Sequence, residues 1–353
     1  MRNRVLRSSR AATAVAALVL AGAACSPVYV VKAGLAQIQI LGNRRPLPEV
    51  VLDPATDPVT RGTLTLVMEA RDFARDQLDL EVGGSYTSYS ELPSDTLAMV
   101  LSAAYRDRLQ ARTWWFPIVG HVPYRGFFDL DEALAEQRSL EADGFDTYLR
   151  PTSAFSTLGW FDDPLLSSVL QADDVEVVTT VIHELSHTHL FIPGQVGFNE
   201  SYATFVGRAG AAEFFCTRPG GGPDTVKCLR AQARWRDAQR FSRFLETVVR
   251  QLEAVYGDPE STAADKVRRR GTVFDDARRR FDREIAPELE SLTFGSFLSL
   301  PLNNATLLSR IRYYRSLSEF EALRAEHGGL RDAVRHLKEN GRRGEDAFRL
   351  LPR

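Results

Sequence analysis

The stretch VVTTVIHELSHTHLFIPGQVGFNESYATF runs from Val177 to Phe205 and carries the chain's most specific pattern. It contains His183-Glu184-Leu185-Ser186-His187, an HExxH motif whose two histidines are four residues apart. On a helix this spacing places both imidazoles on one face, where they can bind a single Zn²⁺. Apolar residues before the motif follow helical spacing. We therefore expect a metal-binding helix that ends near Leu190, with Glu184 as the general base.

A catalytic zinc site of this kind needs a third protein ligand, and Glu200 is the candidate. A short break containing Pro and Gly ends the first helix, and a second apolar segment begins near Phe198. A connection of that length allows two antiparallel helices, which would bring Glu200 beside His187. The three-histidine pattern HExxHxxGxxH does not apply, because Leu190 and Pro193 occupy its Gly and third His positions.

The first 25 residues are typical of an export signal. Four arginines precede an apolar segment from Ala11 to Ala24, which is too short to span a bilayer as a helix of the mature protein. Small residues lead to Cys25, so either Cys25 is acylated as in a lipoprotein or a plain secretory signal is cleaved nearby. Gly22 stands where lipoprotein signals usually have leucine, yet we favour lipidation. We expect an exported, membrane-anchored protein that faces the periplasm or the cell exterior.

Three cysteines fit an exported location. Cys216 and Cys228 flank a turn rich in Gly and Pro, where a small disulfide loop can close in an oxidising compartment. The alternative is a pair of unpaired buried thiols. Cys25 is the odd cysteine, and acylation would use it.

The composition is that of a globular protein, with 44% hydrophobic residues, 25% charged residues and a net charge of −2. The absence of a basic excess argues against a nucleic-acid partner. No stretch after the signal is long and apolar enough to span a membrane.

Periodicity favours a predominantly helical α+β protein with a small sheet before the HExxH helix. Residues 98–109 suit a strand or a short helix, and the aromatic stretch 114–128 suits a strand-turn-strand in the core or in a pocket wall, with the core preferred. The strand 147–161 precedes the metal-binding helix and is expected to line the cleft. We expect a further strand at 86–91 and helices at 28–41, 64–80, 130–143, 229–256, 263–285, 306–315, 318–326 and 330–338.

The chain divides into four predicted parts. A signal (1–25) precedes a proline-broken lead-in segment (26–60), a catalytic core (61–228) and a helical region packed on that core (229–353). The last part contains two arginine runs, 268–270 and 278–280. Interspersed acidic residues indicate a solvated face for both runs rather than a phosphate or lipid-headgroup patch.

Over most of its length the chain resembles a bacterial family of zinc aminopeptidases, many of which carry lipoprotein signals. The resemblance implies a zincin-like metallopeptidase core, one Zn²⁺ per chain and peptide substrates. The segments that carry it are Cys25-Ser26-Pro27, Pro123-Tyr124-Arg125-Gly126-Phe127-Phe128, Ser156-Thr157-Leu158-Gly159-Trp160-Phe161, the HExxH motif, Phe198-Asn199-Glu200-Ser201 and Asn303-Asn304-Ala305.

The segment around Glu200 is also similar to that of the gluzincins, whose third zinc ligand is a glutamate on the following helix. Only twelve residues separate His187 from Glu200, fewer than in thermolysin-like or classical aminopeptidase patterns. Substrate-binding residues of those enzymes are therefore not transferred. In such relatives a Tyr or His from a later helix steadies the oxyanion, which makes Tyr313 and Tyr314 the candidates here.

The resulting hypothesis is metal-assisted hydrolysis of a peptide bond, most simply by an aminopeptidase. Zinc would polarise the scissile carbonyl and acidify a water, while Glu184 takes the water proton and passes it to the leaving amine. An aminopeptidase also needs an anion for the substrate's α-ammonium, and Glu213 and Asp162 are candidates.

Two alternatives stay open at this point. An envelope endopeptidase would use the same centre in a cleft that is open at both ends. A non-enzymatic envelope protein would use zinc only to hold its fold, but a structural site has no need of Glu184.

Overall fold

The computed structural model describes residues 42–92, 98–116, 120–152 and 162–352. It confirms an α+β, predominantly helical protein with small sheets. Cys25, the export signal, the helix expected at 28–41 and residues 153–161 of the expected strand lie outside the described residues. No helix within the described ranges is long and apolar enough to cross a membrane.

The described residues contain helices that differ widely in length, from the four residues of Ser296–Ser299 to the 31 residues of Val226–Tyr256. Short 3₁₀ helices lie at Ser167–Gln171, Ala286–Glu288 and Ala347–Leu350, and a π-helical segment lies at Phe281–Ile285. The α-helices are α1 Leu47–Leu52, α2 Pro58–Asp76, α3 Leu130–Ala142, α4 Asp174–His189, α5 Val196–Thr217, α6 Val226–Tyr256, α7 Ala263–Arg280, α8 Ser296–Ser299, α9 Asn304–Ile311, α10 Leu317–Glu326 and α11 Leu330–Asn340.

The strands are short and form three small sheets among the described residues. They are β1 Arg45–Pro46, β2 Ser88–Ser90, β3 Ala98–Ala104, β4 Trp114–Phe116, β5 Gly120–Val122, β6 Arg125–Phe127, β7 Asp146–Thr152 and β8 Leu165–Leu166. In the first sheet, β2 pairs antiparallel with β1 and parallel with β8. In the second sheet, β3 lies between β6 and β7 and is antiparallel to both, and β4 and β5 form a hairpin.

Helix α2 begins and ends earlier than the predicted helix 64–80. The Asp57 side chain accepts hydrogen bonds from the backbone N–H groups of Val59 and Thr60, and Pro58 suits the first helical position. At the other end Asp79 has a φ of 60°, in the left-handed region, so the helix stops at Asp76. A capping aspartate, rather than the apolar spacing, therefore decides where this helix begins.

Two further elements differ from the sequence-based expectation. Helix α9 ends at Ile311 instead of Arg315, because residues 312–315 leave the helix as a turn that is hydrogen-bonded to α5. The preference for the core was wrong for two of the aromatics in 114–128, since Trp115 and Phe128 are each 46% exposed. The choice left open for 98–109 resolves as strand β3.

The largest apolar cluster joins parts of the chain that lie far apart in the sequence. It packs α2, α4 and α5 together with the beginning of α6 and with α10 and α11. Helices α4 and α5 share the most extensive contact, and α4 is buried on almost every side. The HExxH motif therefore lies on a helix in which every residue is at least partly buried, and this packing restricts the positions of its side chains.

Helices α6 and α7 pack as an antiparallel pair around a second apolar cluster, as their periodicity predicted. Aromatic rings fill it, with Phe241, Phe244, Phe281 and Phe297 in mutual contact. Three of the six arginines in the two basic runs are exposed, but Arg270 is an exception to the prediction. It is 9% exposed and forms a two-pronged ion pair with the buried Asp146 of β7.

Cys216, near the end of α5, and Cys228, in the first turn of α6, form a disulfide. The bond closes the Gly- and Pro-containing turn between the two helices. Gly220 and Gly222 take positive φ angles in that turn, which residues with side chains rarely adopt. The disulfide thus connects the two longest helices of the described residues at one end.

Candidate metal centre

Helix α4 presents the HExxH motif, and the residues before the motif explain where the helix starts. Asp173 caps it, accepting hydrogen bonds from the N–H groups of Val175 and Glu176 at 3.0 and 3.2 Å. Arg234 of α6 holds the same carboxylate with both terminal nitrogens, at 2.9 and 2.5 Å. The ion pair with α6 adds a tertiary contact to this cap.

A tight reversal returns the chain from α4 to α5. Asn199 closes it with two buried hydrogen bonds of 2.9 Å: its amide oxygen accepts from the Ile192 N–H and its amide nitrogen donates to the Ile192 carbonyl. Gly194 takes a φ of 84° within the reversal. Because Asn199 is fixed in this way, the next residue, Glu200, lies in the first turns of α5 and faces back toward α4.

His183, His187 and Glu200 come together as the sequence pattern suggested. The Nε2 atoms of His183 and His187 lie 3.5 and 3.6 Å from one oxygen of Glu200. The two imidazole rings have centroids 5.0 Å apart and stand nearly perpendicular to each other. Among the described residues these three side chains form a group that could hold a metal ion, since their donor atoms all lie within 4.8 Å of one another.

The spacing of the donor atoms fits a zinc ion. Ligand atoms about 2.1 Å from a tetrahedral ion are separated from one another by roughly 3.4 Å. The histidine-to-glutamate separations of 3.5 and 3.6 Å are close to that value. Two imidazole nitrogens and one carboxylate oxygen are also a common donor set for catalytic zinc, in which a fourth position stays open.

The two tyrosines that follow α9 differ in position. The Tyr313 ring lies over His183, with centroids 6.2 Å apart and planes inclined by 30°. The Tyr314 ring instead packs against Phe241 and Phe294 in the second apolar cluster. Of the two oxyanion candidates, only Tyr313 borders the histidines.

The comparison with protein families bears on this centre directly. A family model described as "Putative aminopeptidase" matches residues 28–344. The chain belongs to this family. No curated protein and no solved structure matches the chain. The name of this aminopeptidase family indicates peptidase activity and peptide substrates, and the matched residues include the whole of α4 and α5.

The two buried carboxylates of the centre, Glu184 and Glu200, have pKa values shifted in opposite directions. Burial alone would raise the pKa of Glu200, but hydrogen bonds from His183 and His187 outweigh it and hold that pKa below its ordinary value. Burial raises the pKa of Glu184, and the charges of Glu200 and Asp163 add to the rise against the opposing histidines. A carboxylate with a raised pKa is a better proton acceptor at neutral pH.

The two carboxylates considered for the α-ammonium group of an aminopeptidase substrate have other partners. Glu213 lies more than three helical turns after Glu200 on α5 and pairs with Arg324 at 3.0 Å. Asp162 accepts a hydrogen bond of 2.9 Å from the N–H of Gly84. A Cβ at Gly84 would meet this carboxylate at 2.4 Å, so the contact is close. The structure thus gives both carboxylates a structural role.

Several side chains around the centre were not singled out from the sequence. The charges of Glu184 and Asp163 act on the hydroxyl of the buried Tyr86, and those of Glu200 and Glu184 act on Tyr124. Tyr124 lies in the segment 123–128, which the family resemblance had marked without assigning it a role. No local pattern pointed to Tyr86 or Asp163, because β2 and β8 bring them to α4 only through tertiary packing.

His189, the last residue of α4, stands outside the metal group and supports the fold. Its Nδ1 accepts a hydrogen bond of 3.0 Å from the backbone N–H of Glu81. Burial, with a further contribution from Lys338, lowers the pKa of His189 to about 4. The ring is therefore neutral at physiological pH, as this acceptor role requires.

Gly207 of α5 allows that helix to approach α4 closely. A Cβ at this position would lie 2.7 Å from the Thr179 carbonyl oxygen and 3.0 Å from the His183 Cβ. We expect Gly207→Ala to push α5 from α4, to lower the free energy of unfolding by roughly 1–3 kcal/mol and to weaken metal binding. Urea unfolding and a zinc titration measure the two effects.

Gly197 provides the matched control on the same helix. A Cβ there has no neighbour within 4 Å, so Gly197→Ala should leave metal binding unchanged and stabilise α5 slightly. Equal behaviour of the two variants would contradict the close-packing account of Gly207.

Proposed function

We propose that this protein is a metal-dependent aminopeptidase that uses one zinc ion per chain and Glu184 as its general base. The observation that carries the proposal is the convergence of His183, His187 and Glu200 donor atoms at zinc-like separations, next to a carboxylate with a raised pKa. Membership of an aminopeptidase family supports peptide hydrolysis as the reaction. The antiparallel α4–α5 arrangement and the Glu ligand on the second helix are consistent with a gluzincin-like, zincin-type core.

In the proposed mechanism His183, His187 and Glu200 hold the metal. When bound, zinc polarises the scissile carbonyl and lowers the pKa of a water molecule. Glu184 accepts a proton from that water as the water attacks the carbonyl carbon, and then donates the proton to the departing amine nitrogen. Because α4 is buried on nearly all sides, Glu184 has little freedom to leave this position.

Tyr313 is the proposed donor to the developing oxyanion. Burial and the charge of Glu200 raise the pKa of its hydroxyl, so the group stays protonated and can donate a hydrogen bond throughout the reaction. Such a donor stabilises the transition state more than the ground state, because negative charge on the carbonyl oxygen develops only during attack.

We further propose that the enzyme is exported and anchored by a lipid on Cys25. The sequence of residues 1–25 supports this, as does the disulfide between Cys216 and Cys228, since such bonds persist in oxidising compartments. A non-enzymatic envelope protein is the weaker candidate, because Glu184 lies where a base is needed and where a purely structural site needs none.

The test is hydrolysis of a peptide library by the purified protein, with each peptide supplied with a free and with an acetylated N-terminus. We expect cleavage of the free peptides, loss of cleavage when a chelator removes the metal and recovery on adding zinc. Cleavage of both sets would make the protein an endopeptidase. If no peptide is cleaved with zinc bound, the proposed function is wrong, and the result favours a non-enzymatic envelope protein in which zinc only holds the fold.

Replacing Tyr313 by Phe tests the oxyanion donor. We expect kcat to fall roughly 10²- to 10³-fold with little change in KM, because the lost hydrogen bond acts in the transition state. Tyr314→Phe is the matched control, and its hydroxyl interacts with Arg208 away from the metal group. Steady-state kinetics that give similar kcat values for both variants would exclude Tyr313 from this role.

A further inference from the structure

Arg312 is a buried cation at the edge of the candidate metal centre. Its side chain is 6% exposed, and its guanidinium lies over the Tyr124 ring at 4.9 Å from the centroid. One terminal nitrogen, Nη1, is buried and has no hydrogen-bond acceptor in the described part of the chain. The ring contact fixes where the guanidinium lies, but a ring face does not satisfy its N–H donors.

The backbone holds Arg312 next to the proposed metal ligands. The Ser201 hydroxyl donates to the Arg312 carbonyl at 3.0 Å and accepts from the Arg315 N–H at 3.2 Å. Ser201 directly follows Glu200 on α5, so the turn 312–315 is fastened beside that ligand. This contact is also the reason that α9 ends at Ile311.

The charge of Arg312 acts on two tyrosine hydroxyls near the candidate metal centre. Arg312 and Glu200 both act electrostatically on the hydroxyls of Tyr124 and Tyr313. Arg150, a half-buried residue of β7, acts on the same two hydroxyls. The two arginines therefore lie within electrostatic range of the hydroxyls of Tyr124 and Tyr313.

A comparison with Arg270 shows what Arg312 lacks. Arg270 is similarly buried, and both of its terminal nitrogens donate to the two oxygens of Asp146. Arg312 has no carboxylate within ion-pair distance among the described residues. Buried charges are normally paired, and a carboxylate matches the planar guanidinium fork. The missing acceptor is therefore most simply a group that arrives with a ligand.

We propose that Arg312 binds a carboxylate of the peptide substrate. The proposal rests on the peptidase function proposed above and specifies its substrate class, namely short peptides with a free carboxylate close to the scissile bond. In a dipeptide the terminal carboxylate carbon is about 4 Å or less from the scissile carbonyl carbon. An acidic side chain just after the cleavage site is the other source of the same group.

Binding to the inactive Glu184→Gln protein, loaded with zinc, tests the proposal without requiring cleavage. Calorimetry would compare leucyl-leucine, leucyl-leucinamide and leucyl-glutamic acid α-amide. We expect the free acid to bind roughly 10- to 150-fold more tightly than the amide, as a charge-assisted hydrogen bond to a carboxylate predicts. Tighter binding of the glutamyl amide than of leucyl-leucinamide would assign the acidic side chain as a source of the carboxylate.

Substitution of Arg312 in that protein then identifies the residue responsible. Arg312→Gln should abolish the preference for the acid, and Arg312→Lys should restore part of it, since lysine keeps the charge but not the fork. Arg315→Gln is the matched control from the same turn, where Arg315 lies over Phe348 at 4.1 Å, and it should keep the full preference.

Three outcomes would overturn the assignment of Arg312. They are equal binding of acid and amide, binding of neither, and an Arg312→Gln variant that weakens both ligands by the same factor. A failure of the proposed peptidase function is distinguishable from these outcomes. In that case the unsubstituted protein hydrolyses no peptide, but the ratio of the affinities for leucyl-leucine and leucyl-leucinamide can still be measured.

Discussion

Glu184→Gln is expected to lower kcat for peptide hydrolysis roughly 10²- to 10⁴-fold, the usual contribution of a positioned general base. Glutamine keeps the size of the side chain and its place on the buried helix α4, but it cannot accept the water proton. The metal group formed by His183, His187 and Glu200 is unchanged, so bound zinc should stay at the level of the unsubstituted protein. Steady-state kinetics and metal analysis of one preparation check both statements.

Glu253→Gln is the control for this variant. Glu253 is an exposed residue of α6, and its substitution removes the same charge far from the metal group. It should leave kcat unchanged. If Glu184→Gln retains zinc and hydrolyses peptides at the unsubstituted rate, Glu184 is not the base.

Asp146→Ala is expected to lower the free energy of unfolding by roughly 3–5 kcal/mol, because it leaves Arg270 buried without its partner. Asp146 is 6% exposed, and its carboxylate also accepts a hydrogen bond of 2.9 Å from the backbone N–H of Asn304. These contacts connect β7, α7 and the start of α9. Denaturant unfolding of the variant gives the difference in free energy.

Two controls separate the buried ion pair from general effects of charge removal. Asp276→Ala breaks an exposed pair with Arg279 on the same helix α7 and should cost less than about 1 kcal/mol. The double variant Asp146→Leu/Arg270→Met removes both buried charges, and it leaves the Asn304 N–H without its acceptor and the exposed Arg106 without its 3.4 Å ion pair to Asp146. It should recover stability to within roughly 1–3 kcal/mol of the unsubstituted protein. A double variant no more stable than Asp146→Ala would refute the ion-pair account.

The sequence predicted best those elements whose formation depends on interactions between residues close in the chain. Helical periodicity predicted α4, and the two long helices α6 and α7 followed from their period in the same way. Boundaries set by tertiary contacts were not predictable. Helix α9 ends early because the hydroxyl of Ser201, more than a hundred residues away, takes the hydrogen bonds that would have continued it.

In the candidate site, too, residues close in sequence were predictable and residues from distant segments were not. His183, Glu184 and His187 share one helix, and Glu200 follows after a short reversal, so spacing alone suggested their proximity. Tyr124 and Arg312 come from distant segments that no periodicity relates. Arg312 is marked by its burial and by a nitrogen without an acceptor, and Tyr124 by the contact of its ring with Arg312, which only a three-dimensional arrangement reveals. The sequence also misled at Arg270. Its run of arginines was predicted to be solvated, but this residue is buried and paired with Asp146.

The metal content of the purified protein tests the central claim most directly. Zinc should be present at about one ion per chain, should be lost in His187→Ala and in Glu200→Ala, and should be retained in His121→Ala, which removes an exposed histidine of β5. That pattern would establish His187 and Glu200 as metal ligands. A protein that binds no zinc, or that keeps its zinc when His187 or Glu200 is replaced, would contradict the account at its centre.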